Sequence, residues 1–412
     1  MAPPCGGGRR WMRAVKFTLC LFFLIPMSSV GIRNTNTNFD KKQKLEVQQQ
    51  LKRLNKPALK TIKSPDGDII DCVDIKKQPA FDHPLLKNHT IQMRPSSYPE
   101  GFLFKESNNI SSNSKPIITQ RWHLNGSCPE GTIPIRRTKE EDLLRASSVA
   151  NYGRKKYDMI PNDNPSTHEY ATITEEGEGE TYYGMNAEIN LWNPQVQQSN
   201  EFSLAQFWMT GDNNGAIIDT IEAGMMVYFD LHGDYETRLF TYWTNDGYQS
   251  GCYNVMCPGF VQIDNRMAFG ATFLPYSVYG GTQTSVNLYV FKDNVYGHWW
   301  LQVNNKYLMG YWPSSLFSFL SNSAVRVTWG GEVVNQKSGG QHTTTQMGSG
   351  HFAEEGPSRA SYFQNLKVID HEQVLRGPRD IHVTVTNPTC YNLLTHNDFF
   401  FYGGPGRSLN CP

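Results

Sequence analysis

Hydrophobic and polar positions follow different rhythms in the two halves of this 412-residue chain. From about Tyr170 onward, apolar and polar residues alternate in short runs separated by Gly, Asn and Asp. The runs include "YATITEE", "AEINLWN", "AQFWMTG", "EAGMMVYFDL", "RLFTYWTND", "GFVQID", "VNLYVFKD", "HWWLQVN", "KYLMGYWP", "AVRVTWGGEVV", "SYFQNLKVI" and "IHVTVTN". Side chains of a strand point alternately to opposite faces, so such alternation marks half-buried strands. The spacing and aromatic content predict an all-β sandwich or barrel of about twelve to fifteen strands. No fixed repeat period runs through these segments, which argues against a propeller or a solenoid.

The N-terminal part lacks that texture. "FDKKQKLEVQQQLKRLN" (39–55) carries a loose helical periodicity in Phe39, Leu45, Val47, Leu51 and Leu54, and Pro57 ends it. "SPDGD" (64–68) predicts a turn and "IIDCVDI" a short strand. "CPEGTIPIRRTKEEDLLRA" predicts an extended piece and then a short helix. Residues 95–115 read as loop, and the polar stretch 147–166 as a linker. Within the linker, Lys155 and Lys156 form a basic pair of the kind usually solvated, with a processing site as the other reading. The divisions expected are a small α+β piece over 32–146, the linker with a maturation site over 147–166, and the β domain over 167–412.

Residues 1–31 have the build of a secretory signal: basic Arg9, Arg10, Arg13 and Lys16, the short apolar run "FTLCLFFLIPM" (17–27), then small Ser28, Ser29 and Gly31. An uncleaved signal anchor is the alternative, although the run is short for a membrane span. The expectation is export, to the extracellular space, apoplast or vacuole, with no membrane association after the signal is removed. Six cysteines lie beyond the signal, an even number that suits disulfides in an oxidising compartment. Pairing within each part gives Cys72–Cys128, Cys252–Cys257 and Cys390–Cys411. Zinc is the rival reading, but "CYNVMC" lacks a second close-spaced Cys or His pair, so neither a metal nor a cofactor is expected. The glycosylation sequons begin at Asn88, Asn109 and Asn125, all in the N-terminal part.

Charge sharpens the division. Residues 32–160 hold 23 Lys+Arg against 14 Asp+Glu, a balance of +9, whereas residues 161–412 hold 11 against 24, a balance of −13. The acidic part would repel phosphate, and no aromatics interleave with basic runs, so a nucleic-acid partner is not expected.

Strand parity singles out two glutamates. In "AVRVTWGGEVV", Val325, Val327, Trp329 and Val333 share an apolar face, while Arg326, Thr328, Gly330 and Glu332 share the other. In "IEAGMMVYFDL", Ile221, Ala223, Met225, Val227 and Phe229 form the apolar face, and Glu222, Gly224, Met226, Tyr228 and Asp230 the other. Each glutamate thus has a glycine two residues away on a polar face, which leaves room for an extended peptide. A pair of ordinary surface acids is the plainer reading. "GGQHTTTQMGSG" (339–350) follows Glu332 as a flexible lid or an ordinary hairpin loop.

The text carrying these residues resembles the plant neprosin family over nearly the full length. The resemblance rests on "KTIKSPDGDIIDCVDIKKQPAFDHPLLKNHTIQMRPS" and "CPEGTIPIRR" in the first part. In the second it rests on "EFSLAQFWM", "IEAG", "RLFTYWTNDGYQSGCYN", "GFVQ", "GYWPSSLF", "WGGEVVN", "MGSGHF" and "FYGGPGRSLNCP". It implies a jelly-roll-like sandwich of two antiparallel sheets behind a removable pro-segment. It also implies a glutamic endopeptidase, with Glu222 and Glu332 as the catalytic pair and cleavage on the carboxyl side of proline. Gln206, Trp208, Tyr228 and Trp329 are the candidate substrate-binding residues. The partners expected are a proline-rich peptide or protein and the chain's own pro-segment as inhibitor, with the enzyme a monomer. Met225 departs from the tryptophan expected after "IEAG", which bears on the shape of the cleft.

The chemistry is physically consistent. Peptide hydrolysis without a metal needs an activated water and a proton donor. Two close carboxylates do not both ionise cheaply, so one keeps its proton at acid pH and can act as the donor. No G-x-S-x-G elbow is present, and paired cysteines are not nucleophiles. A two-carboxylate glycosidase and a non-catalytic carbohydrate- or peptide-binding sandwich are the alternatives.

Overall fold

A computed structural model of the chain describes residues 35–99, 118–146, 148–155 and 167–412. The expected signal, the sequon at Asn109 and most of the expected linker lie outside the described residues. The described residues up to Lys44 belong to one unit and those from Leu45 onward to another.

The alternating segments build two antiparallel sheets. The seven-stranded sheet runs in the order Cys252–Tyr253, Arg238–Thr244, Ala216–Tyr228, Phe202–Asn213, Arg326–Val334, His168–Glu176, His382–Val385. The nine-stranded sheet has Ser285–Lys292, Gly184–Asn190 and Ser361–Ile369 at its centre. One continuous core joins the inner faces. Ile173, Phe207, Ile221, Ala223, Val327, Trp329 and Val333 come from the first sheet, and Ala187, Ile189, Leu288, Val290, Phe363 and Val368 from the second. The fold is therefore the all-β antiparallel sandwich that alternation and resemblance predicted. The strands outnumber the expectation because several, such as Cys252–Tyr253, Val261–Gln262 and Leu375–Arg376, are two-residue pairings. Elements that short leave no alternation to read.

The outer face of the seven-stranded sheet carries a second apolar layer instead of plain solvent-facing polar residues. Leu204, Trp208, Met226, Tyr228, Phe240, Tyr242, Tyr248 and Tyr253 pack together there. This layer is where both glutamates stand. The Glu222 strand ends at Tyr228; Phe229, expected to continue it, opens a helical turn over Phe229–His232.

The N-terminal part forms a three-stranded antiparallel sheet of Ala58–Lys63, Ile69–Asp74 and Thr132–Arg136. The predicted helices are present as Thr35–Leu54 and Glu140–Arg145, and Val47, Leu51 and Leu54 pack beside Leu143 and Tyr152. Cys72–Cys128, Cys252–Cys257 and Cys390–Cys411 are bridged as expected, with Cα separations of 5.4, 5.7 and 5.2 Å. Among the described residues, no bridge links those before 156 to those after 166. Asn88 and Asn125 are exposed, and Asn125 Nδ2 donates to the Lys63 carbonyl at 2.7 Å.

The small sheet docks on the sandwich through buried polar contacts. Thr119–Gln120 pairs as a strand with Phe273–Leu274. The Gln120 amide donates to the Ala268 carbonyl and accepts from its N–H, and Gln78 makes the same two bonds with Gln262. Asp68 accepts from Arg136 of its own sheet at 2.7 Å and from Arg238 of the sandwich at 2.6 Å.

Candidate active site

Register explains how two glutamates far apart in sequence reach one face. The central strand Phe202–Asn213 lies between the Glu222 and Glu332 strands. Trp208 stands opposite Glu222 on one side, and Leu204 opposite Glu332 on the other. Trp208, Gln206 and Leu204 share parity, so both glutamates project from the same outer face. Glu222 is 0 % exposed and Glu332 3 %. Surface acids would be solvated, so burial removes the plainer reading.

Each carboxylate has its own partners. Glu222 Oε1 accepts from the Tyr248 hydroxyl at 3.0 Å and the Thr220 hydroxyl at 3.2 Å. His168 Nδ1 lies 2.5 Å from Glu332 Oε1, and the Tyr170 hydroxyl also bonds to Glu332. Burial, with Glu332 and then Glu222 adding their negative charge, pushes the Tyr170 hydroxyl well above its ordinary pKa. Burial and the Glu222 charge do the same to Tyr248. These hydroxyls stay protonated and donate. The pair is less intimate than expected: one strand and four residues of register separate the glutamates. Each glutamate therefore has its own set of neighbours.

The largest departure from expectation is Lys155. Its side chain is 7 % exposed, not solvated, and Nζ donates to both oxygens of Glu222, at 2.9 and 2.8 Å. The ammonium lies 4.7 Å from the ring centres of both Tyr242 and Tyr248. Two aromatic faces and a carboxylate together make a cation-binding slot. The segment leading to it is fixed by the Tyr253 N–H donating to the Gly153 carbonyl at 2.7 Å. No local pattern in the sequence signals this contact, because it spans 67 residues.

The other candidates divide by face. Trp208, Tyr228 and Gln206 belong to the outer face. Trp329, expected to touch substrate, is 0 % exposed in the core between the sheets, on the opposite face from Glu332. Met225 likewise packs into the inter-sheet core, so its change from tryptophan alters the core and not the lining beside Glu222. Residues 339–350 are not a loose lid. Thr343 and Thr345 donate to Glu201 at 2.7 and 2.6 Å, His342 bonds to Glu169 at 2.9 Å, and Met347 is buried in the core.

Both glycines beside the glutamates are demanded by close approach. A Cβ on Gly224 would lie 2.2 Å from the Ala205 carbonyl oxygen and 2.5 Å from Gln206 Cβ. Gly330 has φ +151°, and a Cβ there would lie 2.3 Å from the Ala171 carbonyl oxygen.

The solved structures similar to this chain include a scytalido-glutamic peptidase bound to a peptide-based transition-state analogue. It has 11 % identity and a TM-score of 0.34, covering 57 % of this chain and 98 % of its own. SCP-B, a member of the eqolisin family of peptidases, has 10 % identity and a TM-score of 0.32 over 57 % of this chain and 96 % of its own. A homodimeric agglutinin from chicken liver has 12 % identity and a TM-score of 0.20 over 38 % and 90 %. The sequence models of two families match directly: neprosin over residues 199–405, just over half of the chain, and neprosin activation peptide over residues 61–176. The chain therefore belongs to the neprosin family, its neprosin domain preceded by a neprosin activation peptide.

Proposed function

We propose that this protein is the secreted zymogen of a glutamic endopeptidase that hydrolyses peptide bonds beside proline at acid pH, with Glu222 and Glu332 as its catalytic residues. The observation that carries this reading is the pair of buried glutamates on one tyrosine-lined face, one of them capped by Lys155. One carboxylate takes a proton from water while the water oxygen bonds to the scissile carbonyl carbon. The other, protonated, gives its proton to the nitrogen as the C–N bond breaks. Tyr228, Tyr242, Tyr248 and Tyr253 favour a proline-rich chain, because aromatic grooves suit its extended, preformed backbone. The three disulfides support an oxidising destination.

Lys155 supports latency. While it holds Glu222, a water or substrate nitrogen has no access to that carboxylate. Cleavage of the chain between Lys155 and Thr167 would free the activation peptide and withdraw the Lys155 ammonium from Glu222. The charge that holds this latch is concentrated in one buried pair. The test is to hold the purified full-length protein at acid and neutral pH and add a proline-rich peptide library. New carboxyl termini after proline, formed only by the acid-treated protein, support the reading. Intact peptides under all conditions would leave a binding sandwich, and cleavage of oligosaccharides alone would favour a glycosidase.

A further inference from the structure

Gln206 is the residue the site leaves unexplained. It is 0 % exposed, and among the described residues neither its Oε1 nor its Nε2 has a hydrogen-bond partner. A buried amide without partners forgoes about 1–3 kcal/mol, so such a group calls for an explanation, of which a catalytic role is one. Its position is as distinctive as its loneliness. Across the sheet it stands opposite Gly330 on one side and Gly224 on the other. One row further on either side along the same face stand Glu332, opposite Leu204, and Glu222, opposite Trp208. Gln206 is thus the midpoint of the diagonal joining the two glutamates. Diagonal neighbours on a sheet lie about 7–8 Å apart at Cα, within reach of long side chains. With glycine on both flanks, neither neighbour on its row has a side chain.

We propose that Gln206 is a third catalytic residue, whose Nε2–H binds the scissile carbonyl oxygen and stabilises the oxyanion formed there. The proposal rests on the peptidase reading above. A peptide bond spanning the two glutamates must cross the intervening row, and Gln206 is the one side chain on that row between their strands. When water adds, its oxygen bonds to the carbonyl carbon, its proton passes to the basic glutamate, and the carbonyl π pair moves to oxygen. The negative oxygen accepts from Gln206 Nε2. When the intermediate collapses, that pair re-forms the carbonyl, the C–N bond breaks, and the acidic glutamate protonates the nitrogen. A neutral amide suits this place, since a third carboxylate would oppose the developing negative charge.

The experiment compares acid-activated wild type with Gln206→Met and Gln206→Glu on one proline-containing peptide. Methionine keeps the length and removes the donor, so kcat should fall about 10²–10³-fold, the usual effect of losing an oxyanion donor. KM should change far less, because the contact strengthens only in the transition state. Gln206→Glu donates only when protonated, so its kcat, relative to wild type, should rise as pH falls; Gln206→Met should show no such recovery. Near-UV circular dichroism of the full chain checks that both variants fold. Wild-type kcat in folded Gln206→Met, or a Gln206→Glu profile parallel to wild type, overturns the proposal while leaving the peptidase reading intact. An inactive wild type overturns both.

Discussion

At the scale of single residues, the site is a set of unusual burials. A lysine, two glutamates and an amide sit where apolar residues would ordinarily be, and each burial is a testable commitment. Lys155→Met keeps the aliphatic stem but removes the ammonium, leaving the Glu222 carboxylate buried without its counter-charge. Removing one partner of a buried pair costs about 3–5 kcal/mol. The expected outcome is a precursor that is processed at higher pH than wild type, followed by gel mobility across a pH series; unchanged processing would show that Lys155 is not the latch. Gly224→Ala introduces a methyl group against the Ala205 carbonyl and Gln206. Overpacking of this kind costs about 1–3 kcal/mol and should displace Gln206, so a lowered melting temperature is expected together with reduced cleavage. Residue identity and parity in the sequence located both glutamates and their glycines, since alternation along one strand is a local signal. Lys155 was not legible, because its partner is set by how distant elements dock. Trp329 shows the same limit from the other side: its chemistry suits a binding face, but parity had already assigned it to the core.

At the scale of elements, the activation peptide and the sandwich meet at a buried cluster built for pH dependence. The small sheet brings Asp68 and Arg136; the short helix Glu140–Arg145 brings Asp142 and Arg145; the sandwich brings His232, Asp234 and Arg238. Arg136 Nη2 donates to the His232 carbonyl at 2.9 Å, and among the described residues neither nitrogen of the buried His232 ring has a hydrogen-bond partner. Burial, then the charges of Arg238, Arg136 and Arg145, hold the His232 imidazole well below its ordinary pKa of 6.5. Burial pushes the Asp68 carboxyl up, but Arg238 and Arg136 outweigh it and hold the group below its ordinary 3.8. Both signs agree. A histidine with a depressed pKa binds its proton more readily once exposed, so its contribution to docking is complete above 6.5 and falls as pH drops below that value. The Asp68 contribution is complete above 3.8 and falls as pH drops further through the depressed value. His232→Gln should therefore shift the midpoint of processing to more acid pH, read from the same pH series. A midpoint that stays in place, or moves toward neutral, would remove His232 from the account. Ile69–Asp74, Thr132–Arg136 and Arg238–Thr244 were legible, but Ala58–Lys63, Thr119–Gln120 and Phe273–Leu274 were not; nor was the cluster, because Asp68 and Arg238 are 170 residues apart.

At the scale of the whole molecule, three parts share one purpose. The inner faces of two sheets bury an apolar core that fixes the strand register. That register carries Glu222, Gln206 and Glu332 across three adjacent strands of the outer face. The activation peptide supplies Lys155 to the first of them, and among the described residues no disulfide joins those before 156 to those after 166, so a cleavage between them would free it without reduction. The sandwich was legible because strands such as Gly184–Asn190 and Arg326–Val334 alternate, and the sequence resemblance narrowed sandwich or barrel to sandwich. The central claim is that the two buried glutamates perform the hydrolysis. The most direct measurement is the rate at which Glu332→Gln, processed at acid pH by a trace of wild type that is then removed, cleaves a proline-containing peptide. The change keeps size and hydrogen bonding while removing proton transfer, so the account predicts a loss of about 10²–10⁴-fold or more with the fold retained. Cleavage at the wild-type rate by folded, processed Glu332→Gln would contradict it.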